Sequence, residues 1–165
     1  MKTLLILYLL LVPDKEILLY RQLLHQSESN ATVAKTFYER LKNSRTEKPL
    51  VGGYKGMSAF MMSKHLSNPL TKLTYFKTGK NNLEAAIKAD PASIELLYLR
   101  FSVQCNLPAF LNYNSNIDQD KKKILAFLKN KNSGDEDLYE RIYSFMLTAK
   151  QVSVSEKKAI TTNKL

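Results

Sequence analysis

Cysteine is almost missing from this chain: 165 residues hold one, Cys105, so no internal disulfide can form. With only two histidines beside it, a closed structural zinc site has too few ligands. Tryptophan is absent. Glycine and proline number five each, and most stand at breaks between periodic segments, as expected of long helices joined by short turns. No convincing alternating run of strand type is present. The apolar block at residues 4–12 is far below the roughly 20 residues that span a bilayer, so no transmembrane helix is expected from it. Catalytic signatures are missing too. The phosphate loop Gly-x-x-x-x-Gly-Lys-Ser/Thr does not occur, no Gly-x-Ser-x-Gly element supplies a nucleophile, and His25 and His65 lack zinc-ligand spacing. These absences predict a protein that is not an enzyme, with no cofactor and no metal.

What is present fits a globular helical domain. Hydrophobic residues make up 44% and charged residues 24%, enough apolar surface to outweigh chain entropy. The formal charge is +10. It is spread evenly, with 8 basic and 5 acidic residues in 1–50, 7 and 3 in 51–100, and 10 and 7 in 101–165, so no region is an obvious basic arm. Lys121, Lys122 and Lys123 follow Asp118 and Asp120 and read as a solvated helix face. Electrostatic binding to nucleic acid is the alternative that the charge raises.

Periodicity divides the chain into helices. Asp14 caps a helix through Ile17, Leu18, Tyr20, Leu23 and Leu24; Asn30 caps a second carrying Val33, Ala34, Phe37 and Leu41. Asn30-Ala31-Thr32 is formally a glycosylation acceptor, but a helix start is the more economical reading. A third helix runs from Pro49 to about Leu66, with Gly52-Gly53 expected as a flexible entrance and interior Gly56 permitting close approach of another helix. Asn68-Pro69 starts the next, which carries Leu73, Phe76, Leu83, Ala86 and Ile87, is expected to bend around Gly79, and stops at Asp90-Pro91. The helix from Ser93 to about Asn106 is apolar nearly all round. After Pro108 comes a structured turn anchored by Phe110 and Tyr113. Ile117 opens another helix, and the capping boxes Ser133-x-x-Glu136 and Ser153-x-x-Glu156 open two more, the last fraying before Leu165. The expected fold is all-α, seven or eight helices in antiparallel hairpins.

Gly79, Leu83, Ala86 and Asp90-Pro91 resemble the second helix of a tetratricopeptide repeat, and Tyr54-Lys55-Gly56 resembles its first. The match covers about a quarter of the chain as one degenerate repeat, and the gap from Gly56 to Gly79 is roughly twice what the ~34-residue unit allows. The resemblance implies stacked helical hairpins, in a superhelical or bundle arrangement, and a role in gripping an unknown protein or peptide partner. On that basis residues 14–165 are one tetratricopeptide-like domain.

One polar stripe interrupts the apolar helix. Ser93, Arg100 and Gln104 return to the same face at offsets of seven and four. A buried guanidinium needs an acid, and Asp118, Asp120 or Glu84 is available, with Asn106, Tyr113 and Asn114 completing a network around the Pro108 turn. A ligand carboxylate or phosphate in place of the internal acid would make Arg100, Gln104, Asn106, Tyr113, Asn114 and Asp118 a small-ligand site. Asp118-x-Asp120 lacks the further ligands of a calcium loop and fits the dipole of a helix start. Cys105, in register with Ile94, Leu97, Tyr98 and Phe101, reads as a buried small hydrophobe.

Met1-Lys2-Thr3 and the apolar block at residues 4–12 have the start of a secretory signal, so residues 1–13 are a candidate signal peptide or short apolar leader. The location implied is exported, periplasmic or membrane-associated. No Ala-x-Ala cleavage site follows, and the competing reading is a short buried helix of a cytoplasmic domain, broken at Pro13.

Overall fold

The side chain of Asp14 accepts the amide of Glu16 at 3.0 Å, satisfying an N–H that has no partner inside helix α1 (Lys15–Ser27). Asn30 does the same for α2 (Ala31–Leu41), accepting from Thr32 and Val33. Helix α3 (Pro49–His65) opens on proline, whose missing N–H costs nothing in the first turn. Helix α4 (Pro69–Ala89) combines both devices, with Pro69 in the first turn and Asn68 accepting from Thr71 at 3.0 Å. Then come α5 (Ile94–Asn106), a 3-10 turn (Ala109–Leu111), α6 (Ile117–Lys129), α7 (Glu136–Thr148) and α8 (Val154–Thr162). The computed structural model describes residues 14–45, 47–130 and 134–162. Over those residues the chain is all-helical, with eight α-helices and no strand. The leader at residues 1–13, Ser133 and the fraying expected toward Leu165 lie outside them.

Several local expectations are corrected. Gly52 and Gly53 are not a loop but part of α3, where the Gly52 amide donates to the Lys48 carbonyl at 3.2 Å. Helix α4 runs through Gly79 as one continuous element. Asp135 caps α7, accepting from Leu138 at 3.0 Å, so this helix starts at Glu136, two residues later than a cap at Ser133 would place it. The capping box at Ser153 does form: its amide donates to the Glu156 carboxylate at 2.7 Å, and the Glu156 amide donates back to the Ser153 hydroxyl at 3.3 Å. Phe110 anchors nothing, being 79% exposed, and Leu73 lies outside the core at 38%.

Between Leu96 and Leu97, inside α5, the chain divides into two compact units. In residues 14–96, α1 packs on α2 and α3, α2 on α3, and α3 on α4, the last being the most extensive pair. Tyr20 lies 6.3 Å from Phe37 and 5.8 Å from Tyr54, and Phe60 lies 5.7 Å from Phe76, ring centre to ring centre. In residues 97–162, α6, α7 and α8 pack on one another around Ile124, Leu128, Ile142, Met146 and Ile160, all fully buried. Phe145 meets Tyr98 and Phe101 edge-on at 5.6 and 6.0 Å.

The α3–α4 hairpin closes on two glycines. A methyl group built on Gly56 would stand 2.8 Å from the Gly79 carbonyl oxygen and 2.9 Å from the Leu83 nitrogen, and one on Gly79 would stand 2.9 Å from the Gly56 carbonyl oxygen. The obstacles at Gly56 are backbone, which cannot rotate aside. Gly56→Ala is therefore expected to destabilise by about 1–2 kcal/mol, overpacking outweighing the ~1 kcal/mol gain in helix propensity. The midpoint of urea unfolding checks this; an unchanged or raised midpoint would show that the helices separate freely.

Candidate functional site

Two guanidinium–carboxylate pairs lie in the interior. In residues 97–162, Arg100 on α5 donates through Nε to Asp120 Oδ2 at 2.7 Å and through Nη2 to Asp120 Oδ1 at 2.8 Å, a forked pair with both residues buried. Asp120 stands in the first turn of α6, where the helix dipole also favours negative charge. The sequence offered three acids for Arg100, and the fold pairs it with Asp120.

The other stripe residues scatter. Ser93 caps α5, accepting the Leu96 amide at 3.3 Å. Gln104 is 4% exposed, and its amide has no hydrogen-bond partner among the described residues. Asn106 is exposed and donates to Ser102 of its own helix at 2.8 Å. Asn114 is exposed, and Tyr113 is buried. Asp118, its side chain 91% exposed, lies 3.5 Å from Lys121 one turn on. The predicted set is thus not gathered round one point: Asp118, Asn106 and Asn114 face solvent while Arg100 and Gln104 are buried.

A second polar cluster forms where α6 meets the α7–α8 connection. Lys121 donates to the Gln151 carbonyl at 3.1 Å and lies 3.6 Å from Glu156, while Gln151 donates to the Cys105 carbonyl at 3.2 Å. Cys105 is half-buried. Burial pushes its thiol up to about 11, against the opposing pull of the Lys121 charge, so at neutral pH it is protonated and a poor nucleophile. Glu156 is held below the ordinary carboxylate range, chiefly by the Ser153 amide, with a smaller contribution from Lys121.

The other buried pair was missed in the sequence. Arg21 on α1 donates through Nε to Glu95 Oε1 and through Nη2 to Oε2, each at 2.7 Å, and the Tyr54 hydroxyl donates to Oε1 at 2.5 Å. Burial first, and the Glu95 charge second, raise the Tyr54 phenol well above its usual value, so it stays a donor. The missed signal was position: Arg21 shares the helix stripe of Ile17 and Leu24, and Glu95 stands between Ile94 and Leu96 in a run otherwise apolar.

In both pairs each acid meets a base at hydrogen-bond distance. No protein-family model, curated protein or solved structure matches this chain. What the molecule can do is therefore read from its own groups. Among the described residues no cluster of three or more His, Cys, Asp or Glu could hold a metal ion, and no helix is long and apolar enough to cross a membrane. His65 contacts the Ser27 carbonyl at 2.6 Å, tying α3 to the end of α1, and His25 is exposed.

One stretch of the sequence differs in charge from the rest. From Lys48 through Leu83 the chain holds six lysines and no Asp or Glu. This stretch covers all of α3 and two thirds of α4. Dividing the chain into thirds averages the run away, which is why the even spread of charge concealed it.

Proposed function

We propose that this chain is a non-catalytic helical interaction domain that holds a protein or peptide partner, acting outside the cytoplasm or at a membrane. The observation that carries the reading is the α3–α4 hairpin. Its small residues Gly56 and Gly79 touch across the helix pair, Leu83, Ala86 and Ile87 fill its interior, and Asp90-Pro91 ends it. These features support reading it as a tetratricopeptide-like hairpin with longer helices than the repeat has, the gap from Gly56 to Gly79 being a departure from that pattern. Domains of that kind work by shape and surface, which is an argument from analogy in fold.

Internal pairing of Arg100 with Asp120 favours this reading over a small-ligand site, since the guanidinium already has the carboxylate that a ligand would bring. Immobilised full-length protein in near-physiological salt is expected to retain a defined protein at comparable molar amount, identified by mass spectrometry. Nuclease-sensitive retention of nucleic acid that fades steeply with salt would overturn the proposal in favour of electrostatic binding. Tight capture of a small molecule alone would overturn it in favour of a ligand site.

A further inference from the structure

The acid-free stretch is not uniform, because one end of it exposes leucine. Leu70 in the first turn of α4 is 78% exposed and Leu73 is 38% exposed. Offsets of three and seven residues set Leu70, Leu73 and Lys77 on one outward stripe of the helix. Lys77 is exposed, and Lys80 stands beside the same stripe. The antiparallel pairing brings the far end of α3 to this place: the Ser63 hydroxyl donates to the Lys72 carbonyl at 3.0 Å, so Lys64, exposed, lies at the same end of the hairpin. No carboxylate occurs in α3, or in α4 before Glu84.

Two protruding leucines with exposed Lys64 and Lys77 at the same end of the hairpin match a particular counterpart. We infer that this end of the α3–α4 hairpin docks on the surface of an anionic phospholipid bilayer, with Leu70 and Leu73 entering the headgroup boundary and Lys64 and Lys77 facing the phosphates. Charge complementarity selects the sign of the partner. The leucines select lipid over nucleic acid, whose phosphate backbone offers nothing apolar to them. They also select a bilayer over an acidic helix, because helix docking uses a concave groove and these side chains stand out from a convex helix. A shallow depression lined by His25, Gln26, Glu28, Ser29, Asn30 and Val33 lies elsewhere, at the α1–α2 turn. Leu70, Leu73, Lys64 and Lys77 stand outside the core, so replacing them leaves the fold intact.

Co-sedimentation of the full chain with vesicles tests the inference. Phosphatidylcholine vesicles carrying a quarter phosphatidylglycerol are expected to pellet the protein, and pure phosphatidylcholine vesicles are not. Lys64→Glu/Lys77→Glu is expected to weaken partition by about tenfold or more, and Leu70→Ser/Leu73→Ser by about tenfold. Lys122→Glu/Lys123→Glu changes the net charge equally on α6 and is expected to bind as the parent does. Unchanged helical circular dichroism and melting temperature confirm that each variant is folded. Equal loss in the α6 variant, undiminished binding of the leucine variant, or no binding to anionic vesicles at low salt would each overturn the assignment. None of these outcomes bears on retention of a protein partner, so the two proposals fail separately.

Discussion

Glu95→Ala should lose about 3–5 kcal/mol of stability, because one truncation strands two buried groups. Glu95 accepts both arms of the Arg21 fork and the Tyr54 hydroxyl, and all three residues lie in the interior. Removing the carboxylate leaves a guanidinium in a low-dielectric setting with its charge uncompensated. The expected drop in melting temperature is about 10 °C or more for a chain of this length. Glu95→Gln keeps the shape and one acceptor and should lose less. The paired change Arg21→Met/Glu95→Leu removes both charges together and is expected to recover most of the loss, since well-packed apolar residues replace a buried ion pair at little cost. Denaturation curves for the two singles and the double measure the coupling. Additive losses, with no recovery in the double, would show that the pair is not a unit.

Arg100→Met is expected to behave likewise, losing about 3–5 kcal/mol by leaving the Asp120 carboxylate buried without its guanidinium. Asp120→Leu alone should lose a similar amount, and the two changes together should lose much less than their sum. The measurement also separates two uses of Arg100. A steep fall in the unfolding midpoint marks the pair as part of the framework. A midpoint that hardly moves would give Arg100 back to a ligand, and the small-molecule reading with it.

Helix boundaries were legible because their causes are local. Asp14, Asn30 and Asn68 each cap the helix predicted to follow them, and the Ser153 box closes as its spacing requires. Where a boundary was misread, a nearer competitor was present: Asp135 stands closer to the apolar register of α7 than Ser133 does. Gly52 and Gly53 look like a loop because glycine weakens helices, yet Pro49 starts the helix before them.

Pairing across distance was legible only in part. Gly56 announced a close helix, but which residue met it depended on how far α3 and α4 extend past their contact. Arg100 announced an acid, and the stripe Ile117, Asp120, Ile124, Leu128, at offsets of three, four and four, identifies it in hindsight. Asp118 falls on the opposite side of that helix. Arg21 and Glu95 stand 74 residues apart, and no periodic pattern links positions on two helices so widely separated. The acid-free stretch escaped for a different reason: it is defined by missing carboxylates, and neither net charge nor any motif registers an absence.

The glycine seam between α3 and α4 also limits how these helices can move. Sliding one along the other by a turn would bring Phe60 or Leu83 to a spot with room for a hydrogen atom alone. Axial slippage is blocked, and the two rods travel as a single stiff lever. A push at Leu70 along the axis of α4 would carry α3 with it.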